Sequence, residues 1–150
     1  MLTRRHVGIG LLALASPIGD VIARQPDAVV TTYRSPTCGC CKAWVSHLEK
    51  AGFATKIIEL DDLAQAKRRA GVPTAYEACH TALVDGYFIE GHVPAADITR
   101  LLAEKPRARG LAVPGMPVGS PGMEVGGATA EAFQTMLIAV DGSASVFASH

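Results

Sequence analysis

The stretch from Ala28 to Leu60 leaves the chain little freedom. "AVVTTY", Ala28 to Tyr33, is a β-branched run, and such side chains fit a pleated strand better than a helix. Lys42 to Ala51 then reads as a helix with Gly52 as its C-terminal stop, and "FATKIIEL" reads as a second strand. Between the first strand and the helix lies "SPTCGCCKAW", residues 35–44, with three thiols in four positions. Cys38, Cys40 and Cys41 therefore sit at a helix N-terminus, where unpaired backbone N–H groups stabilise anionic sulfur and lower thiol pKa.

The alternation continues. Asp61 or Asp62 caps a helix running to Ala70 before Gly71. "TALVDGYFIEG" is a hairpin whose Asp85-Gly86 pair matches the demand of a two-residue turn. "HVPAADITRLLAEKP" gives a third helix, with Pro94 near its start, an apolar stripe at Ile98, Leu101 and Leu102, and Pro106 beyond its end. The order is β, α, β, α, β, β, α, and "FQTMLIAVDGSASVF" adds a C-terminal hairpin turning at Asp141-Gly142, which makes Met136 a core residue. With 150 residues, 49% of them apolar, the chain is long enough to bury one core without staples.

Residues 1–23 read as a cleavable export signal rather than as fold. Arg4, Arg5 and His6 precede an apolar run from Val7 to Ala15, and Val21-Ile22-Ala23 offers a cleavage site, with Ala13-Leu14-Ala15 as a second. The run is shorter than the roughly 20 apolar residues of a bilayer span, so no stable membrane insertion is expected after cleavage. Thr3-Arg4-Arg5 fits a twin-arginine signal, and ordinary Sec secretion is the alternative. Residues 24–150 then form one domain in the periplasm, an oxidising compartment in which free thiols need a use that resists oxidation. Basic and acidic residues both number 14, so nothing suggests nucleic acid as a partner.

The thiolate is both nucleophile and metal ligand, so low pKa does not discriminate between the two uses. Cys38 and Cys41 have the spacing of a redox disulfide, whereas vicinal Cys40 and Cys41 make a strained one. Three converging thiolates suit a soft ion such as copper(I); four in a tetrahedron also suit zinc or iron-sulfur. Cys79 in "EACHTALV" supplies a fourth sulfur just ahead of the hairpin. His80 is an accessory candidate, although alternation turns it away from Cys79 if Cys79 is already in extended chain. Four exported cysteines also allow two disulfides in three pairings, each of which takes two of the crowded trio. His47, six residues beyond Cys41 on the helix, is roughly 9 Å along the axis and belongs at the core edge or surface. His92 caps the third helix or sits in the loop before it.

"PGMPVGSPGMEVGG" is a small internal repeat. Pro114 to Ser120 and Pro121 to Gly127 agree at five of seven positions, each copy presenting one methionine, Met116 and Met123. So much Gly and Pro argues a turn-rich loop. Thioethers are soft ligands that cannot be protonated, which suits copper(I) outside the cytoplasm; the alternative is that both methionines pin the loop by apolar contact.

The element order, with a dithiol at the first strand-to-helix junction, resembles thioredoxin: Cys38-Gly39-Cys40-Cys41-Lys42 keeps the Cys-x-x-Cys spacing, and Val72-Pro73-Thr74 is similar to the segment whose proline, usually cis, faces the thioredoxin dithiol. The larger pattern, Pro36-x-Cys38-Gly39-Cys40-Cys41-x-x-Trp44-x-x-His47-Leu48, Gly71-Val72-Pro73, "CHTALVDGYFIEGHVP" and "GLAVPGMPVGSPGME", resembles the CopG-like family of exported copper-resistance proteins over about residues 29–125. The resemblance implies a thioredoxin-like α/β fold, a central mixed sheet flanked by helices, with Cys38, Cys40, Cys41 and Cys79 holding copper at a multinuclear thiolate site; the adjacency of Cys40 and Cys41 adds the hypothesis that sulfur bridges the ions. Soft thiolate and thioether ligands point to copper(I) as cargo, and a copper-exporting or copper-delivering periplasmic protein is the candidate partner, while the resemblance leaves open whether copper is sequestered, passed on or changed in oxidation state. The expectation is a metal-binding protein rather than an enzyme; the alternative is a thiol-disulfide oxidoreductase in which Cys38 attacks and Cys41 resolves.

Overall fold

The computed structural model describes residues 28–150, so the expected export signal lies outside the described residues. Strands β1 (Val29–Arg34) and β2 (Ala54–Glu59) flank helix α1 (Gly39–Lys50) and pair in parallel. Helix α2 (Ala64–Ala70) follows, with Asp62 accepting the Ala64 N–H at 2.8 Å and Gly71 closing it in the left-handed conformation. A short 3-10 turn, Thr74–Tyr76, leads to the hairpin β3 (Thr81–Val84) and β4 (Tyr87–Glu90), then to α3 (Ala95–Glu104). Asp85 and Gly86 both have positive φ, 46° and 83°, the mirror-image turn that matches strand twist and that Asp-Gly favours.

Three further strands complete the sheet: β5 (Ala108–Ala112), β6 (Gln134–Ala139) and β7 (Ala144–Ser149). The seven strands lie in the order β2-β1-β3-β4-β5-β6-β7. β3 runs antiparallel to β1 and β4, β5 runs parallel to β4, and β6 and β7 close the far side as antiparallel neighbours. The C-terminal hairpin is therefore part of the central sheet, attached through β5, a strand in a segment to which the sequence assigned no element. Met136 within it is half-buried rather than central.

Two apolar layers sandwich the sheet. On one face Trp44, Val45 and Leu48 of α1 and Ile98, Leu101 and Leu102 of α3 pack with Val30, Ile89 and Leu111. On the other, Val72, Phe88, Ala112 and Ile138 gather with Ala70 and Tyr76. The alternation of Phe88 and Ile89 between the faces is that of a strand buried on both sides. This packing fixes the N-terminus of α1 beside the chain that enters β3. Every described peptide bond is trans, Val72–Pro73 included, so the cis proline usual in thioredoxin is not reproduced here.

Candidate metal centre

α1 starts three residues earlier than its apolar pattern suggests, because a cysteine caps it. Cys38 is the N-cap, and its Sγ accepts the Cys41 N–H at 3.3 Å. Cys40 and Cys41 thus lie inside the first turn of α1. Cys38 and Cys41 are joined as a disulfide, their Cα atoms 5.4 Å apart. Cys40 is free, with its Sγ 3.5 Å from that of Cys38.

Cys79 comes from the other side, out of the irregular chain between the 3-10 turn and β3. The four cysteine sulfurs lie within 4.8 Å of one another. Cys41 is fully buried and the other three are half-exposed. Burial, then the neighbouring Cys40, pushes the Cys79 thiol up to about 12, so in the metal-free protein it carries its proton at neutral pH.

Cys79 belongs to a second group as well. Its Sγ is 3.3 Å from His80 Nδ1 and 3.1 Å from His92 Nε2, and one ligand atom from each of the three lies within 4.8 Å of the others. His80 is therefore not turned away: the chain bends at Cys79 and does not become extended until Thr81, so strand alternation does not apply. His80 is completely buried against Trp44, ring centroids 4.4 Å apart, and burial holds its pKa down to about 3.

His92 is the residue that sequence reasoning missed. It is fully buried, its pKa lowered chiefly by burial, and its Nδ1 lies 2.8 Å from the Pro121 carbonyl oxygen. A carbonyl only accepts, so Nδ1 carries the proton and Nε2 offers a lone pair towards Cys79. His92 reaches Cys79 across the mouth of the β3–β4 hairpin, whose register pairs Thr81 with Glu90, and the Pro121 carbonyl, 29 residues on, holds its other nitrogen. His47 behaves as expected, half-buried at the core edge; its Nε2 accepts the Ala95 N–H at 3.1 Å where α3 begins.

The Gly/Pro/Met loop covers this ground. Besides the Pro121 carbonyl on His92, Gly122 (φ +86°) lies so close to α1 that a Cβ there would stand 2.7 Å from Trp44 N and 2.8 Å from the Cys40 carbonyl oxygen. Met123 follows it and is half-buried, while Met116 is 53% exposed. The second copy of the repeat is thus laid on the cysteine turn.

The donor chemistry fits a soft cation: four sulfurs, neutral imidazole nitrogens and little oxygen. With Cys38 and Cys41 bonded, two of the sulfurs are not thiolates, and a thiol or other two-electron reductant must cleave the bond before all four serve. Among the described residues no helix is long and apolar enough to cross a membrane.

A family model described as "Protein of unknown function, DUF411" matches residues 76–123, which hold Cys79, His80, His92 and both repeat methionines. No curated protein matches the chain. Two solved structures do. Copper resistance protein CopG in form 2 is 46% identical, with 82% of this chain and 98% of that one covered and a TM-score of 0.78. Form 1 is 47% identical, covering 81% and 96%, with a TM-score of 0.76. Identity of that order over nearly the whole of each solved chain places the protein in a family: it belongs to the CopG family of copper resistance proteins.

Proposed function

We propose that this is an exported copper-binding protein of copper resistance, which holds copper(I) on Cys38, Cys40, Cys41 and Cys79. The observation that carries the reading is the gathering of four sulfurs from two separate parts of the chain within 4.8 Å. Thiolate is the ligand class that selects copper(I). Adjacent Cys40 and Cys41 are awkward around one ion but useful when each sulfur bridges two, which favours a multinuclear cluster. His80 and His92, with ring nitrogens 3.3 and 3.1 Å from Cys79 Sγ, are accessory donors, and Met123, next in sequence to Gly122, and exposed Met116 are the thioether candidates.

The rest of the reading follows from export. Residues 1–23 act as the signal, residues 24–150 work in the periplasm, and the partner is a protein that takes copper onward. The order β2-β1-β3-β4, with its parallel β1–β2 pair, supports a thioredoxin-like core extended by β5 to β7.

Copper bound per chain, measured on fully reduced protein under anaerobic conditions, tests the reading. More than one copper per chain is expected, with protons released as thiols become thiolates. No copper, or a single zinc, overturns it.

A second reading has its own support, the Cys38–Cys41 disulfide. In a thiol-disulfide oxidoreductase, half-exposed Cys38 as thiolate attacks a substrate disulfide and releases one substrate thiolate. Buried Cys41 then attacks the mixed disulfide, freeing the second thiolate and restoring the Cys38–Cys41 bond. That chemistry leaves Cys40, Cys79 and His92 without a role.

A further inference from the structure

We propose that the buried Lys67–Glu90 ion pair is the device that positions Cys79 against the cysteines of α1. The pair acts through Ala78 and Thr81, the residues on either side of Cys79-His80. The link to metal rests on the copper reading above; the positioning stands on geometry alone.

Lys67 of α2 and Glu90 at the end of β4 are both buried, with Nζ and Oε1 2.5 Å apart. Lys67 Nζ also donates to the Ala78 carbonyl at 2.8 Å and to Thr81 Oγ1 at 3.1 Å, which uses its three hydrogens. Glu90 Oε1 accepts the Ala78 N–H at 2.6 Å, and Oε2 accepts the Thr81 hydroxyl at 2.6 Å. The ion pair therefore takes both backbone groups of the residue before Cys79 and the side chain of the residue after His80. Gly91 adds the third restraint, its N–H donating to the His80 carbonyl at 3.1 Å.

The segment Glu77–His80 contains no helix or strand that would otherwise hold it. A buried ion pair is an expensive way to stabilise a fold, since desolvation offsets most of the attraction and apolar replacements of similar volume often serve as well. It does specify geometry: charged hydrogen bonds are short and directional. Here the bonds that do not join the pair's own members all go to the chain carrying Cys79 and His80.

The test separates positioning from stability with the double variant Lys67→Met/Glu90→Leu, which keeps volume and removes both charges. Two readouts are used on the full chain. The first is the iodoacetamide alkylation rate of Cys79 in a Cys40→Ser background with Cys38–Cys41 oxidised, where Cys79 is the lone free thiol. The second is copper bound per chain after reduction, with Cys40 intact. The folded double variant is expected to alkylate well over twofold faster than the parent as Cys79 leaves its packed site, and to bind less copper than the parent, because the group that orients a ligand is lost. An alkylation rate within twofold of the parent overturns the proposal whatever the copper content; faster alkylation with full copper overturns its link to metal. If the parent itself binds no copper, the copper reading fails while the alkylation rates still decide the positioning. Should the double variant not fold, Thr81→Val, which removes one side of the bracket, is measured in the same way, and an unchanged rate there overturns the proposal.

Discussion

His92 Nε2 lies 3.1 Å from Cys79 Sγ while the opposite nitrogen of the same ring lies 2.8 Å from the Pro121 carbonyl oxygen. One imidazole thus ties the loop over the site to the sulfur that the hairpin brings in. The carbonyl fixes the tautomer, so the lone pair facing Cys79 is ready for a metal ion or for the thiol proton. Replacing His92 by Ala is expected to weaken copper(I) affinity about 10- to 100-fold, the usual cost of losing a ligand's orienting partner. Competition against a chromophoric copper(I) chelator measures it. An unchanged affinity removes His92 from the site.

Cys40→Ala separates the two functional readings. Cys40 Sγ is 3.5 Å from Cys38 Sγ but takes no part in the disulfide. If copper is held by bridging thiolates, the variant binds at least one copper fewer per chain while Cys38–Cys41 still forms. If disulfide exchange is the function, insulin reduction by the variant matches that of the parent. Metal analysis and a reductase assay on one preparation decide between them.

Much of this site was legible because its signals are local. Three cysteines before an apolar helical stripe announce a helix N-terminus, and Asp85-Gly86 announces a turn; both depend on a few adjacent residues. β5 was not legible: five residues with Gly110 at their centre, flanked by Pro106 and Pro114, carry weak strand signal, and their order comes from pairing with β4 and β6. His80 misled for a related reason. Alternation holds only where the chain is already extended, and the ion pair at Ala78 and Thr81 keeps Cys79-His80 bent. His92 could have been found from the hairpin: the register that pairs Thr81 with Glu90, continued outward, sets Cys79 opposite His92, and only the contact with Pro121, 29 residues on, carried no local signal.

Gly122→Ala tests whether the loop must lie on the helix. The added methyl would meet the backbone of Trp44 and Cys40, which cannot yield as a side-chain tip does, and φ of +86° disfavours any Cβ there. A loss of about 1–3 kcal/mol is expected, typical of forcing an extra carbon into a packed contact, and is read from the urea midpoint. Trp44 is the one tryptophan in the chain, so a red shift of its emission reports the loop lifting away. A variant with unchanged midpoint and emission means the contact is dispensable.

Acid should weaken the metal-free fold through its histidines. Burial is the leading cause that lowers the pKa of His47, His80 and His92, with His80 at about 3. In the unfolded chain each returns to about 6.5. Between those values the unfolded state binds more protons, so stability is complete above about pH 7 and falls as pH drops towards 3. His80, the most deeply buried, accounts for a loss of about 2 kcal/mol at pH 5. Glu90, raised by burial, tilts the opposite way below neutrality, so the net slope is shallower than the histidines alone would give. His80→Phe isolates the contribution, because a phenyl ring keeps the contact with Trp44 and does not titrate. Urea melts of parent and variant at pH 7.5 and 5.5 should converge as pH falls, the variant losing less, and equal losses in both would mean that His80 is not the group that takes up the proton.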